Sequence, residues 1–205
     1  MKRYITTIKY FQNILLGIGV LTLMGMPLLV VFIPDFSRTY STHLYGIAHA
    51  TVFFVMLIRP LADIMTGVTF VRPLVILRKG FGVVSASIVV SFALAKLIMD
   101  PLGYMTGFFT REYWSLTDHA LYAHLADVTA ILLLITSNNF SKRILGPLWK
   151  WIQRLSYVYF YASAFYVFAT FGTISVFVYM FIITVVTLTA FLVNTINRLS
   201  TKSTL

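Results

Sequence analysis

The chain has 205 residues, 59% of them hydrophobic and 11% charged, and its mean hydropathy of +0.88 lies outside the range of soluble domains. It contains no cysteine, which excludes disulfides, thiolate-ligated zinc, cysteine-ligated iron–sulfur clusters and thiol nucleophiles. The formal net charge of +10 poses a choice between nucleic acid and membrane topology, and the positions of the basic residues decide it.

Apolar runs near 13–33, 43–59, 81–100, 117–137, 155–172 and 174–194 are each close to the roughly 20 residues that cross a hydrocarbon core of about 30 Å. They predict an all-α polytopic bundle of six transmembrane helices. The first run follows MKRYITTIK, exceeds the apolar core of a signal peptide and lacks a small-x-small cleavage site, so it is expected to be a retained span. The last two are joined by a tight connection around Gly172. No internal repeat, low-complexity segment or second domain interrupts the pattern, and residues 1–205 are expected to form one domain.

With alternating spans, every Lys and Arg other than Arg38, Lys96 and Arg111 falls on the side that carries both termini. Arg38 and Arg111 fall on the other side, with Asp35, Asp100, Glu112 and Asp118. The positive-inside rule then places both termini in the cytoplasm of a multi-pass protein of the cell (inner) membrane, with the lipid bilayer as its first partner and no nucleic acid. Trp149 and Trp151 at the inner boundary, with Tyr113 and Trp114 at the outer, fit interfacial anchors.

Three segments go beyond generic spans: GIAHATVFFVMLIRPLADI, RPLVILRKGFGV and LLITSNNFSKRILGPLWKWIQRLSY. Together they resemble the ferric-reductase-like transmembrane domain family, nearest its MsrQ/YedZ-type haem-bearing membrane subunit, most strongly over residues 46–171. The resemblance implies electron transfer across the membrane on b-type haem, held by histidines of the third and fifth spans. In this chain the family's third-span histidine position falls near Phe92, the fifth-span pattern reads WKWIQRLSY with Gln153 in place of histidine, and a further family histidine falls on Tyr166. Tyr166 is then either a phenolate ligand or, with Phe92, Tyr159, Phe165 and Phe168, filler for the volume a macrocycle takes in relatives.

The remaining histidines are His43 and His119, at expected outer helix starts and given no role, and His49 and His124, both about 10 Å below the outer boundary. At one depth on two spans that run the same way, His49 and His124 either ligate a haem iron or another metal, or serve as hydrogen-bonded packing residues. Asp127 lies about 15 Å in from Thr117, near the bilayer centre, where a carboxylate pairs or protonates. Its candidate partners are His124, one turn away, and Lys96, which otherwise snorkels to the outer surface about 6 Å off. Asp127 and Lys96 together form the expected intramembrane charge or proton site.

No nucleotide loop, Ser/His/Asp constellation or metalloprotease spacing is present, and no catalytic residue is assigned. Arg72, Arg78, Lys79, Lys142, Arg143, Lys150 and Arg154 form a basic inner face that sets topology, or attracts anionic lipid or the phosphate of a flavin. Two functions stand side by side. One is an oxidoreductase-like electron-transport subunit with haem on His49 and His124. The other is a haem-less relative acting as membrane anchor, assembly partner or small-molecule site. Either is expected to work with a partner redox or membrane subunit.

Overall fold

The computed structural model describes residues 1–33, 35–110, 114–115 and 120–202, and these are helical almost throughout, with no strand among them. In chain order the helices are α1 (Lys2–Phe32), α2 (Phe36–Ile64), α3 (Val71–Leu74), α4 (Leu77–Met99), α5 (Pro101–Phe108), α6 (Ala120–Thr136), α7 (Asn139–Leu145), α8 (Pro147–Phe171) and α9 (Ile174–Lys202). Arg111, Glu112, Tyr113, Asp118 and His119, to which the sequence reading assigned a side, an anchor or a helix start, lie outside the described residues.

The long helices α1, α2, α4, α6, α8 and α9 run alternately up and down, so both termini lie at one end, the near end. Cross-links confirm the register there. The Tyr4 hydroxyl donates to the Phe70 carbonyl at 3.0 Å, Asn194 Nδ2 reaches Asp63 at 3.5 Å and Gln153 Nε2 reaches Thr136 Oγ1 at 3.2 Å. At the far end Tyr122 stacks on Phe165 at 5.6 Å, and Phe168 meets Phe177 at 5.9 Å.

The local sequence explains the breaks. Asp100 ends α4 and caps α5, accepting from Gly103 N–H at 2.9 Å ahead of a proline at the first helical position. Asn138 caps α7 through Ser141 N–H at 2.7 Å, and α6 and α7 meet at a bend of 95°. Gly172 closes α8 at φ +62°, a left-handed conformation suited to glycine, and lets α9 turn straight back.

Helix α4 is the axis of the bundle. Every residue from Val83 to Ala93 is buried, and α1, α2 and α6 all pack on it. A helix apolar on all sides needs neighbours on all sides. Helix α9 is the opposite case: its buried residues Val176, Met180, Ile183 and Ala190 form one stripe, while Phe177, Phe181, Leu188, Phe191 and Ile196 face outward. Such an outer surface suits lipid and would be a liability in water.

Four described helices are long and apolar enough to cross a membrane: Lys2–Phe32, Phe36–Ile64, Val71–Met99 and Ile174–Asn197. The bent pair α6 and α7 makes up to five. The architecture is compatible with a multi-pass membrane protein, but the six spans expected from sequence are not all reproduced. The described part of α6 is 17 residues long, and residues 117–119 of the expected fourth span lie outside the described set. The 25-residue α8 is long enough but is diluted by Gln153, Arg154 and four tyrosines, Tyr157, Tyr159, Tyr161 and Tyr166.

Between α1 and α4 the approach is close enough to demand glycine. A Cβ at Gly19 would lie 2.7 Å from Val83 Cγ1, and one at Gly80 would lie 2.8 Å from Leu15 Cβ, whereas Gly17 has nothing within 4 Å. Small residues at such seams let backbones approach, the main route to helix association in lipid. Gly80→Leu is therefore expected to cost about 1–3 kcal/mol by overpacking. Gly17→Ala is expected to be neutral, or to gain up to about 1 kcal/mol from reduced chain entropy. Thermal unfolding of the two variants in one detergent checks the contrast.

Candidate functional site

The positions at which the resemblance implies haem ligands are occupied by side chains with structural work. Phe92 is buried, and its ring stacks on Tyr45 at 4.9 Å and 23°. Gln153 Nε2 donates to Thr136 Oγ1, and the neighbouring Trp149 Nε1 donates to the Thr136 carbonyl at 2.8 Å, so both tie α8 to the end of α6. Tyr166 is half-buried and near enough to the Tyr45 phenol to act on it electrostatically, as Asp127 and Tyr159 do.

The expectation that Phe165 and Phe168 fill interior volume is corrected. They are 44% and 40% exposed, because the inward stripe of α8 passes through Tyr159, Phe160, Ala162, Ser163 and Ala164 instead. Trp149 is tied inward by its indole N–H, and the Lys142 ammonium lies 5.3 Å from its ring. Trp151 is the exposed one of the pair, with the Arg154 guanidinium 4.3 Å from its ring.

At mid-bundle a serine joins three helices. Ser85 Oγ of α4 donates to the Ala48 carbonyl of α2 at 2.8 Å and shares a 2.8 Å hydrogen bond with the Tyr159 hydroxyl of α8. Tyr159 also lies 3.4 Å from the Ser85 carbonyl. Six residues along, Ser91 Oγ donates to the Ser87 carbonyl of its own helix at 2.6 Å and lies 3.1 Å from the Thr22 carbonyl of α1. Nearer the termini, Arg78 Nε donates to the Val55 carbonyl at 2.9 Å. Ser85, Ser91 and Tyr159 are cross-links that the sequence pattern alone does not single out. The available signal was a serine on every side of an apolar run, SASIVVS, where a hydroxyl must find a partner.

The two deeper histidines take different neighbours. His124, on α6, has its ring 6.0 Å from that of Trp114. His49, on α2, is only 5% exposed, and it lines a cavity of about 160 Å³ that opens between α2, α8 and α9 at the far end. Thr42, Tyr45, Thr173, Ser175 and Tyr179 bring hydroxyls to the same cavity. His49 Nε2 is buried without a partner. Helices α2 and α6 each pack on α4 and make little direct contact with each other, so their histidines do not line one common seam.

Lys96 and Asp127 do not close the expected clamp. Lys96 is exposed at the far end and Asp127 is half-buried. Lys96 is the cation whose charge reaches the carboxylate, but no ion pair joins them. Lys96 follows its snorkelling alternative, with a flexible stem that keeps the ammonium at the surface.

A b-haem does not fit these residues. Its implied ligand positions hold phenylalanine, glutamine and tyrosine, and the cavity at His49, about 160 Å³, is below the roughly 300 Å³ at which pockets for drug-sized ligands begin. Among the described residues no group of three or more His, Cys, Asp or Glu side chains is placed to hold a metal ion. Comparison of the chain with protein-family models, with curated proteins and with solved structures finds no match.

The serine junction is testable. Ser85→Ala strips the Tyr159 hydroxyl of its best partner, whereas Tyr159→Phe leaves Ser85 bonded to Ala48. Ser85→Ala is expected to cost more, within the roughly 0.6–1.7 kcal/mol of interhelical hydrogen bonds in bilayers. The double variant should lose less than the sum. Unfolding midpoints of the three variants decide it.

Proposed function

We propose that the chain is a six-span membrane protein of the ferric-reductase-like type that works without the b-haem of that family, as a membrane anchor and assembly partner for another subunit. The observation that carries the reading is the occupation of the implied ligand positions: Phe92 is spent on Tyr45 and Gln153 on Thr136. Side chains that pack and hydrogen-bond helix to helix take over the cohesion that a macrocycle supplies by filling space.

Helices α6 and α8 count as spans in this reading. The 17 described residues of α6 extend about 26 Å, close to the hydrocarbon thickness. In α8 the polar groups of Tyr159 and Ser163 are buried inside the bundle, so they dilute its composition without meeting lipid. The distribution of the basic residues supports, by the positive-inside rule, a reading with both termini in the cytoplasm of an inner-membrane protein.

A cysteine-free chain suits single-cysteine labelling. Ser37→Cys and Ile174→Cys, at the far end, should react with an impermeant maleimide in intact cells, and Thr69→Cys and Phe140→Cys only after permeabilisation. Labelling of Phe140→Cys from outside would overturn the six-span arrangement.

The haem question is read from an absorption spectrum of purified protein expressed with haem supplied, oxidised and then dithionite-reduced. The expected spectrum is featureless between 400 and 600 nm (roughly the haem absorption range). A Soret band that shifts on reduction and is lost in His49→Ala would overturn the haem-free reading in favour of an electron-transfer subunit.

A further inference from the structure

A cavity of about 480 Å³ opens at the near end, between the start of α1, the end of α2 and the connection that leads into α3. That volume lies inside the roughly 300–1,000 Å³ of pockets that hold small ligands. Ile5, Ala62 and Ile76 give it apolar wall, Thr66 and Thr69 add hydroxyls, and Arg72 is the one charged side chain that lines it. The connection that forms one wall is held in place. The Tyr4 hydroxyl pins the Phe70 carbonyl to α1, and the N–H groups of Val68 and Val71 close successive turns on the Met65 and Val68 carbonyls at 3.0 and 3.2 Å.

Among the described residues the Arg72 side chain makes no hydrogen bond or ion pair, and neither Thr66 nor Thr69 spends its hydroxyl. The carboxylate nearest along the chain, Asp63, does not line the cavity and is engaged elsewhere: Arg59 Nε lies 3.9 Å from it and Asn194 Nδ2 3.5 Å. A guanidinium with its donors in a fixed fork is thus left at a mostly apolar concavity without an anion.

We propose that this cavity holds the phosphate head of an anionic phospholipid, with Arg72 as the fork that binds the phosphate oxygens, Thr66 and Thr69 as further donors, and Ile5, Ala62 and Ile76 against the glycerol and the first acyl carbons. The guanidinium matches phosphate oxygens in pairs, and the two hydroxyls serve the oxygens that remain. The apolar walls give a bare anion nothing further to bind, so the head must come with an apolar body. Soluble phosphate esters share that chemistry, but the cavity sits at the end of a bundle whose outer surface suits lipid, and Met65 and Phe70 beside it are 40% and 58% exposed, apolar surface that acyl chains cover. The site is independent of the haem-free reading and of which side of the membrane the near end faces.

The test follows the unfolding midpoint of the full chain in dodecyl maltoside. The probe is dihexanoyl phosphatidic acid, set against dihexanoylglycerol, the same body without the head, and against inorganic phosphate and phenyl phosphate, the soluble sources of the head. Phosphatidic acid is expected to stabilise at about tenfold lower concentration than any of the three, the factor that one charge-assisted hydrogen bond supplies. Arg72→Gln should remove that advantage, Arg72→Lys should keep part of it as a point charge without the fork, and Lys150→Gln, an exposed cation of the same end outside the cavity, should leave it intact. Equal loss in Arg72→Gln and Lys150→Gln would mean a diffuse field and would overturn the site. Phenyl phosphate or inorganic phosphate as effective as phosphatidic acid would overturn the lipid as its occupant, and dihexanoylglycerol as effective would overturn the role of the phosphate. If Arg72→Gln does not fold, the ranking of the four probes on the native chain still decides the matter.

Discussion

Everything in this fold hangs on the burial of α4. Between helices in lipid there is little hydrophobic drive, because the tails are as apolar as leucine, so a central helix is held by close packing and by hydrogen bonds that reach from one helix to the next. The chain supplies both along the same surface. Gly80 admits Leu15 from α1, Gly19 admits Val83, and Ser85 and Ser91 tie α4 to α2, α8 and α1. Small residues and Ser85 on α4 are two expressions of one constraint: the backbones must come close, and a polar group between them gains from a partner. Ser85 meets both demands, being small enough for the seam and able to donate to the Ala48 carbonyl, whereas Ser87 Oγ on the same helix is buried without a partner.

The two ends of the bundle are built differently. The near end is stitched by polar side chains with defined partners: Tyr4 to Phe70, Arg78 to Val55, Gln153 and Trp149 to Thr136, and Asn194 to Asp63. Gln153 in particular shows how a position that the resemblance assigns to a metal ligand serves instead to dock α8 on the bend after α6. At the far end Phe92 stacks on Tyr45, while His49, Asp127 and Lys96 carry polar capacity that no ion pair absorbs. Between the two ends, Ser87 Oγ and Thr187 Oγ1 are also buried without a partner.

Much of this was legible in the sequence, and the parts that were not share a cause. The long helices follow from apolar runs, and the tight turn at Gly172 from its glycine, because both signals are local. What a run of hydropathy does not carry is which face of a helix meets another helix. Phe165 and Phe168 look like core residues by composition and lie outside, whereas Tyr159 and Ser85 look like neutral insertions and form the central junction. Lys96 stood between pairing and snorkelling for the same reason, since its long stem lets the charge leave the interior regardless of where its Cα lies. The short helices α3, α5 and α7 escaped notice because four to eight residues carry too few turns to show a period.

Orientation also decides what His49 can do. In a run of apolar residues it reads as one imidazole among several, and pairing it with His124 rests on depth alone. In the folded chain the neighbours of the two rings differ: an indole stands against His124, while His49 Nε2 is closed off inside the bundle without a partner. Depth along a span is a local property, whereas the neighbours of a ring are set by how the helices rotate against one another, so the two histidines part company once α2 and α6 have each docked on α4.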